Sequence, residues 1–257
     1  MPDAPVSGAD SLKVLGWHHP YSWLGKVGIV VPSANTVVEI EMARWAPEGL
    51  TFHAARTTVA GTPSQQSLND MADGAVRAAA DLGTAECDLV VYSCTSGSFM
   101  VDGERLKQQM SAAAGCPVLT TSEAVLAALA FLGVRRISLV TPYVNFITEG
   151  EVAWLTQAGF EVVAYYGLGM GETVRERRAI NRIPPEAVYR VAKHVDRPES
   201  EAIFLSCTAM PTLGAIDLLE RDLGKPVFSS NSATFRAVAQ ALRIQAPTTR
   251  GGRLLAG

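Results

Sequence analysis

Short apolar runs alternate along the chain with longer segments in which apolar residues recur at helical spacing. Leu68, Met71 and Ala75, for example, fall on one face of a helix. This alternation is typical of βαβ units and predicts a parallel sheet. The predicted strands lie near residues 26–31, 50–55, 88–93, 117–120, 136–141, 160–165, 202–206 and 226–229, and the clearest predicted helices are Gln66–Leu82, Val152–Ala158 and Ala187–His194.

The chain also contains an internal repeat. The sequence Tyr-Ser-Cys-Thr at Tyr92–Thr95 is matched by Leu-Ser-Cys-Thr at Leu205–Thr208, which sets Cys94 and Cys207 at an offset of 113 residues (207 − 94). Two more segments recur in the same order and at nearly the same offset. They are Val27–Asn35 with Ile137–Asn145, at an offset of 110 (145 − 35), and Cys116–Thr121 with Lys225–Ser230, at 109 (226 − 117).

The repeat predicts an α/β protein of two pseudo-symmetric, flavodoxin-like lobes. Each lobe is expected to hold a mainly parallel four-stranded sheet, with the active site between the lobes. Lobe 1 is predicted over residues 25–133 and lobe 2 over residues 134–243, because only a short turn joins them near Gly133. Residues 1–24 are predicted to form an N-terminal arm, and residues 244–257, which lack apolar periodicity, a frayed C-terminal tail.

Composition excludes several classes of protein. The chain has 257 residues, of which 48% are apolar and 18% charged, as is typical of globular proteins. Its net charge of −3 lacks the positive excess of nucleic-acid-binding proteins, so we expect no nucleic-acid partner. No apolar stretch is long enough for a membrane span, and residues 1–15 lack the features of a signal peptide, so we expect a cytoplasmic protein without a membrane partner. The histidines are scattered and there is no C-x-x-C pair, so we expect no metal site. The four cysteines, expected to be reduced, are Cys87, Cys94, Cys116 and Cys207.

Two of these thiols are candidates for chemistry. Cys94 and Cys207 each follow a predicted strand, and ligands bind at the carboxyl ends of parallel strands. A turn from strand to helix can hold a sulfur near unpaired backbone N–H groups, which lowers the pKa of the thiol. The small polar stretch Thr95–Ser98 and the helix-starting residue Pro211 predict this geometry for both thiols. The other two cysteines, Cys87 and Cys116, are expected to be small core residues.

These motifs resemble those of a known superfamily. Pro32–Thr36 after the first strand, Cys94 after the third, Pro142–Tyr143 after the first strand of the second half, and Ser206–Thr208 resemble the Asp/Glu racemase superfamily. The chain looks closest to the maleate cis-trans isomerases and their arylmalonate decarboxylase relatives, over roughly Gly25–Ala241. The resemblance implies cofactor-independent chemistry at a carbon beside a carboxylate, a small dicarboxylate as substrate, and a homodimer.

The resemblance also implies roles for individual residues. Cys94 matches the nucleophile that adds to the double bond of maleate to give a succinyl thioether, and Cys207 matches the proton donor and acceptor. Asn35 and Tyr143 match residues that hydrogen-bond the substrate carboxylates. Covalent addition replaces a high rotational barrier by a low one, which is why a thiol suits this isomerisation.

Other residues of the strand-end segments are candidates for substrate binding. Asn145, the repeat partner of Asn35, either lines the cleft or caps the following helix. The glycine-rich segment Gly167–Gly171 is predicted to be a mobile loop that could cover the cleft as a lid. The remaining predicted substrate-binding residues are Pro32, Thr95, Ser96 and Thr208.

The sequence departs from the maleate isomerases at two places. After the nucleophile it carries the open, polar stretch Thr95–Ser98 in place of bulkier apolar residues. The family uses a second asparagine ahead of the helix that begins here near Pro185, where this chain reads Glu176-Arg177-Arg178. One of the two arginines either binds a carboxylate bidentately or belongs to a solvated surface run.

Three alternatives to isomerisation stay open at this point. In a two-thiol racemase, Cys94 and Cys207 would take and return the α-proton of an amino acid or related acid from opposite faces. The second alternative is an arylmalonate-type decarboxylase. Relatives with this activity typically keep only the second cysteine, whereas this chain has both. A protein of another class, a non-catalytic sensor that clamps a small acid, would also suit paired α/β lobes.

Overall fold

The computed structural model describes residues 19–245 and 250–256. Its described part contains two four-stranded sheets in which every strand pairing is parallel. The strands are β1 (Gly25–Pro32), β2 (Leu50–Thr57), β3 (Leu89–Tyr92), β4 (Val118–Thr120), β5 (Arg136–Tyr143), β6 (Glu161–Met170), β7 (Ala202–Leu205) and β8 (Val227–Ser229). All eight predicted strands are thus present.

Helices connect the strands in both halves of the chain. The predicted helices Gln66–Leu82 and Ala187–His194 lie inside observed helices, and Val152–Ala158 overlaps a longer helix that ends one residue earlier. The helices are α1 (Val38–Trp45), α2 (Gln65–Thr84), α3 (Thr95–Phe99), α4 (Gly103–Ala114), α5 (Thr121–Leu132), α6 (Asn145–Gln157), α7 (Val174–Ile180), α8 (Pro185–Val195), α9 (Leu213–Leu223), α10 (Ser230–Ala241) and α11 (Arg253–Ala256).

The two sheets have the same topology. The strand order is β2-β1-β3-β4 in the first sheet and β6-β5-β7-β8 in the second, so each strand of the second sheet repeats the strand four earlier. This is the flavodoxin-like order. The second strand of each sheet is added on one side of the first strand and the later strands on the other side, and this change of side leaves a crevice at the carboxyl ends of the strands. The prediction of two pseudo-symmetric α/β lobes is confirmed.

Local sequence explains how the helices begin and pack. Ser64 starts α2 with a capping box, in which its hydroxyl accepts from the N–H of Ser67 while the Ser67 hydroxyl accepts from the N–H of Ser64. Gly83 lies inside α2, although its type suggests a helix end. A Cβ at Gly83 would lie 2.7 Å from the carbonyl oxygen of Ala114, so the glycine lets α2 approach α4 closely.

Three apolar clusters hold the molecule together. One cluster lies on the outer side of each sheet, and the third joins residues of both halves. In the shared cluster Leu129 of α5 and Val238 of α10 are fully buried, while Phe204 and Phe228 stack with ring centroids 4.8 Å apart. Because α5 and α10 pack against each other, the two sheets are fixed relative to one another and the strand ends of both meet at one place.

Two predictions about irregular segments are wrong. The tail was expected to fray, but residues 253–256 form α11, whose Leu254 is fully buried in the shared apolar cluster. The segment Gly167–Gly171 is predicted to be a mobile loop, but all of it except Gly171 forms the end of β6, where Gly167 and Met170 pair with β5. A short, isolated pair of leucines and a glycine-rich strand end carry too little periodicity to reveal either element.

The arm predicted over residues 1–24 lies largely outside the described residues. In its described portion Tyr21 and Trp23 are exposed, and the N–H of Leu24 donates to the carbonyl of Gly49. In the described ranges, no helix has the length and apolar character needed to cross a membrane.

Candidate active site

Cys94 lies two residues beyond the end of β3 and caps the N-terminus of α3. Its Sγ accepts a hydrogen bond of 3.3 Å from the N–H of Gly97 and lies 3.9 Å from the hydroxyl oxygen of Ser96. The side chain is 7% exposed. The predicted turn from strand to helix is therefore present at the first thiol.

Gly97 allows this turn to close tightly over the sulfur. A Cβ at residue 97 would lie 2.9 Å from the Sγ of Cys94 and 2.5 Å from the hydroxyl oxygen of Tyr92. Any larger residue would displace one of them, because real Cβ atoms do not approach heavy atoms that closely. Glycine at position 97 is thus required by packing around the thiol.

Cys207 lies beyond β7 but in a different conformation. Its φ is +125°, a region in which a residue with a side chain is strained. The next residues form a turn, and α9 begins only at Leu213, so the prediction of a helix start directly after this thiol is wrong. The Sγ accepts a hydrogen bond of 3.3 Å from the N–H of Ala209. The two copies of the repeat therefore hold their sulfurs in different ways.

Ser230, the first residue of α10, ties the two thiol loops together. Its hydroxyl oxygen accepts a 2.8 Å hydrogen bond from the Thr95 hydroxyl and a 3.0 Å hydrogen bond from the N–H of Cys207. The Thr208 hydroxyl donates in turn to the carbonyl of Ser93, at 3.1 Å. The segments that carry the two sulfurs are thus joined across the interface between the lobes, and Ser230 supports the strained backbone of Cys207.

Asn35, in the loop after β1, makes a further connection between the lobes. Its Nδ2 donates to the Thr208 hydroxyl at 3.0 Å, and its Oδ1 accepts from the N–H of Val37 at 2.9 Å. Arg56 donates to the carbonyl of Asn35 at 2.7 Å. The amide is therefore held in one orientation, with one N–H left for a ligand.

A single pocket of about 120 Å³ brings the predicted residues together. A cavity of roughly 150 Å³ holds benzene, so this volume suits a small organic acid. Both sulfurs line it, as the sequence predicts. The other predicted residues that line it are Pro32, Asn35, Thr95, Ser96, Tyr143 and Thr208.

Asn145 is the exception among the predicted residues. It is the first residue of α6, its side chain is exposed, and it is not among the residues that line the pocket. The cap position belongs to Val144, and no side-chain hydrogen bond caps the helix. Neither expected role of Asn145 is therefore present. At the offset of 110 residues, the start of α1 at residue 38 predicts a helix start at residue 148 (38 + 110), but α6 starts three residues earlier, at Asn145 itself.

Burial changes the chemistry that the sequence predicts for the thiols. Desolvation raises the pKa of Cys94 above its ordinary value, although the N–H of Gly97 and the hydroxyl of Ser96 oppose this in part. Desolvation raises the pKa of Cys207 to about 12, partly opposed by hydrogen bonds from Tyr143 and Ala209. The expectation of lowered thiol pKa values is therefore wrong, since both sulfurs lie almost entirely away from water.

A buried acid lies behind Cys207. Glu151 of α6 is fully buried, and its Oε1 accepts a 2.6 Å hydrogen bond from the Ser206 hydroxyl. Burial raises the pKa of Glu151 to about 8, and a negative charge there would raise the pKa values of both Cys207 and Tyr143. Glu151 is therefore protonated at neutral pH and places no charge behind the second thiol.

Sequence reasoning missed Glu151, although the repeat contains a signal for it. At the offset of 110 residues that relates Asn35 to Asn145, Glu151 corresponds to Glu41. Glu41 is also buried, and burial raises its pKa. Its carboxylate accepts from the N–H groups of Thr212 and Leu213, at 2.7 and 2.8 Å, and thereby holds the start of α9 from the other lobe. The two buried acids thus occupy equivalent helices.

Ser230 was missed for a similar reason. It matches Thr121 in the repeat, and each is the first residue of a helix that follows the last strand of its lobe. The position was identified as part of the repeat but not as part of the site. For metal binding, the described ranges hold no group of three or more His, Cys, Asp or Glu residues with suitable geometry.

Comparison with known proteins gives a consistent result. The sequence model of the arylmalonate decarboxylase family matches residues 27–255. The maleate isomerase of Pseudomonas putida is 30% identical over 250 residues, which cover 91% of this chain and 98% of that protein. The arylmalonate decarboxylase of Bordetella bronchiseptica is 31% identical over 212 residues, which cover 81% of this chain and 87% of that protein.

Solved structures agree with the sequence comparison. A cysteine-to-serine mutant of the Nocardia farcinica maleate cis-trans isomerase, with a covalently bound succinylcysteine intermediate, superposes with a TM-score of 0.83 at 27% identity, covering 90% of this chain and 98% of that one. This chain belongs to the arylmalonate decarboxylase family. Within it, the chain is an isomerase of the maleate isomerase type.

Proposed function

We propose that this enzyme interconverts maleate and fumarate, or a closely related unsaturated dicarboxylate, with Cys94 as nucleophile and Cys207 as proton donor and acceptor. One observation carries the proposal: two thiols from equivalent strand ends line a single pocket of the size of a small acid. The succinylcysteine held by the similar Nocardia farcinica enzyme supports a covalent route.

The proposed reaction has two steps, addition of Cys94 to the double bond and its elimination. The Cys94 thiolate attacks one alkene carbon, so a C–S bond forms, the π bond breaks, and the electron pair moves to the neighbouring carbon. Cys207 donates its proton to that carbon, which gives a succinyl thioether. After rotation about the new single bond, the Cys207 thiolate removes a proton from the same carbon, the double bond re-forms as trans, and the C–S bond breaks to release Cys94.

The surroundings of the sulfurs support this division of roles. Desolvation raises the pKa of Cys94, but hydrogen bonds from the N–H of Gly97 and the hydroxyl of Ser96 favour its thiolate in part. Cys207, whose pKa burial raises to about 12, keeps its proton at neutral pH and can deliver it. The Tyr143 hydrogen bond to Cys207 then stabilises the thiolate that is left after proton transfer.

The donors that remain for the substrate are few. The hydroxyl protons of Thr95 and Thr208 are already given to Ser230 and to Ser93. The Ser96 hydroxyl and the N–H of Gly97 face Cys94, and the N–H of Ser98 donates to the carbonyl of Cys94. In the part of the chain that the structure describes, the donors left near the thiols are one N–H of Asn35 and the N–H groups of Thr95 and Ser96 at the start of α3, which lack acceptors within the helix. These groups can spread the charge of one carboxylate during addition.

We also infer a cytoplasmic homodimer that works without a cofactor. The resemblance to the superfamily supports the dimer, and two thiols suffice for every proton and bond change in the reaction above. Light scattering of the purified protein tests the dimer, and activity after exhaustive dialysis against a metal chelator tests independence from metal ions.

Proton NMR tests the proposed reaction directly. In deuterated buffer, the vinylic signal of maleate should decrease while that of fumarate grows. Cys94→Ala should abolish this conversion, whereas Cys87→Ser, at a buried thiol away from the pocket, should preserve it. Amino acids and an arylmalonate in the same assay give the competing outcomes: deuterium at the α carbon would show racemisation, and loss of carbon dioxide would show decarboxylation.

A further inference from the structure

Arg177 of α7 lies at the boundary between the lobes and lines the same pocket as the two thiols. Its Nε donates to the carbonyl of Gly171 at 2.9 Å, and its Nη2 donates to the carbonyl of Gly61. Gly61 belongs to the segment between β2 and α2, in lobe 1, whereas Gly171 follows β6, in lobe 2. Two edges of the guanidinium are thus fixed by backbone carbonyls from both lobes.

The third edge has no protein acceptor. The Nη1 atom is buried and makes no hydrogen bond in the described part of the chain, and none of the ion pairs there includes Arg177. The neighbouring carboxylate of Glu176 is engaged by the N–H groups of Gly171, Glu172 and Thr173. A buried cationic donor without an acceptor is costly, and an anion would satisfy it.

The composition of the pocket wall strengthens the attraction between Arg177 and an anion. Among the described residues that line it, Arg177 alone carries a charge, and much of the remaining wall is apolar. An apolar wall screens charges weakly, so one cation there attracts an anion more strongly than it would in water. Burial also lowers the pKa of the guanidinium, and a bound anion would offset that effect. The apolar part of the wall is formed by Val59, Leu68, Met71, Ile147, Met170 and Ile180.

We propose that Arg177 binds one carboxylate of the substrate through Nη1 and thereby makes the enzyme selective for a dicarboxylate over its monoamide. The identity of the acid rests on the proposed function. The other carboxylate faces the donors near Cys94, so the two ends of the substrate meet different partners. Arg178, the next residue, has an exposed side chain and serves as a matched control.

The test compares maleate with maleamate, its monoamide, in the wild type, Arg177→Met, Arg177→Lys and Arg178→Met. Arg177→Met should reduce kcat/KM for maleate at least ~100-fold, the scale expected for loss of a buried charge pair, and should bring the maleate-to-maleamate ratio close to one. Arg177→Lys should keep part of the preference, because it retains the charge but not the planar fork. Arg178→Met should behave as the wild type.

A purely structural role for Arg177 gives a different result. If the arginine only holds the two lobes together, Arg177→Met will lower kcat/KM for maleate and maleamate by the same factor, which would overturn the proposal. Added guanidinium chloride, at concentrations that leave the circular dichroism unchanged, should restore maleate turnover in Arg177→Ala. An absence of rescue together with an unchanged substrate ratio would also contradict the proposal.

Calorimetric titration with succinate separates this inference from the proposed function, because binding of a saturated diacid needs no turnover. Succinate should bind the wild type and Arg178→Met, and should bind Arg177→Met at least ~100-fold more weakly. If the wild type leaves maleate unchanged but shows this pattern, the isomerase proposal fails and the Arg177 inference stands. If it converts maleate while succinate binds all three proteins equally, or binds none of them, the inference fails.

Discussion

The Ser206 hydroxyl donates a 2.6 Å hydrogen bond to the carboxyl group of Glu151, directly before the second thiol in the chain. The bond links the strand end that carries Cys207 to the middle of α6. Glu151 is fully buried, and its other oxygen has no hydrogen-bond partner among the residues that the structure describes, so burial holds the carboxyl group in its neutral form. The polar network behind the pocket thereby avoids a negative charge next to Cys207, the thiol that becomes negative in the proposed reaction.

Glu151→Gln should change how stability depends on pH. Burial raises the pKa of Glu151 to about 8, so between about pH 5 and 8 the folded chain holds one more proton here than the unfolded chain. The free energy of unfolding contributed by this group therefore falls as pH rises, by about 1.4 kcal/mol per pH unit. Glutamine keeps the acceptor for Ser206 and removes that slope.

Urea denaturation at several pH values checks this prediction. The stability difference between Glu151→Gln and the wild type should shift in favour of the variant as pH rises from 5.5 to 8.5. Glu149→Gln, an exposed position on the same helix, should show no such trend. A Glu151→Gln difference that is constant across this range would contradict a raised pKa.

Ser230→Ala should impair catalysis more than its effect on stability suggests. The variant removes the acceptor of both the Cys207 N–H and the Thr95 hydroxyl, and an unsatisfied buried donor costs about 1 to 3 kcal/mol. The strained backbone of Cys207 then loses its support, so kcat should fall ~10-fold or more, by the sensitivity of catalysis to positioning.

Ser138→Ala is the control for this comparison. Ser138 is equally buried, donates to the carbonyl of Val195, and lies on β5 away from the pocket. It should lose comparable stability and keep its kcat. If thermal unfolding and steady-state kinetics show the two variants to be equally active, Ser230 does not position the thiols.

Alkylation of Cys94 should require alkaline pH. Because burial raises the pKa of this thiol, little thiolate is present at pH 7, and the iodoacetamide rate constant should rise about tenfold per pH unit. The rise should continue beyond the pH at which N-acetylcysteine in the same mixture levels off. Peptide mass spectrometry of Cys94 measures the rate, and maleate should slow it. A plateau near pH 7 would show a lowered pKa instead.

The sequence was sufficient for features that depend on periodicity and repetition. Apolar alternation predicts all eight strands, and the recurrence of Ser-Cys-Thr predicts that Cys94 and Cys207 meet in one cleft. The signs of the thiol pKa shifts were not predictable in this way. A turn after a strand suggests a nearby N–H donor, as found at Gly97, but the desolvation that outweighs it depends on side chains from both lobes.

Imperfect symmetry explains most of the remaining errors. Exact repetition would give Asn145 the role of Asn35 and would place a helix directly after Cys207, as one follows Cys94. The structure shows instead an exposed Asn145 and a strained turn at Cys207. Conversely, the equivalence of Glu41 and Glu151 was available from the repeat, but only their burial shows that it matters.

Trapping the covalent intermediate tests the central claim most directly. Cys207→Ser, incubated with maleate, denatured and digested, should yield a peptide containing Cys94 whose mass has increased by that of one maleate, and the double variant with Cys94→Ala should yield none. The serine hydroxyl can still give a proton to the strongly basic carbanion and is then reprotonated by solvent, so the adduct forms. A neutral hydroxyl is too weak a base to remove a proton from carbon again, so the adduct should stay on Cys94. Finding the added mass on Cys87 or Cys116, or on no cysteine while the wild type converts maleate, would contradict the mechanism.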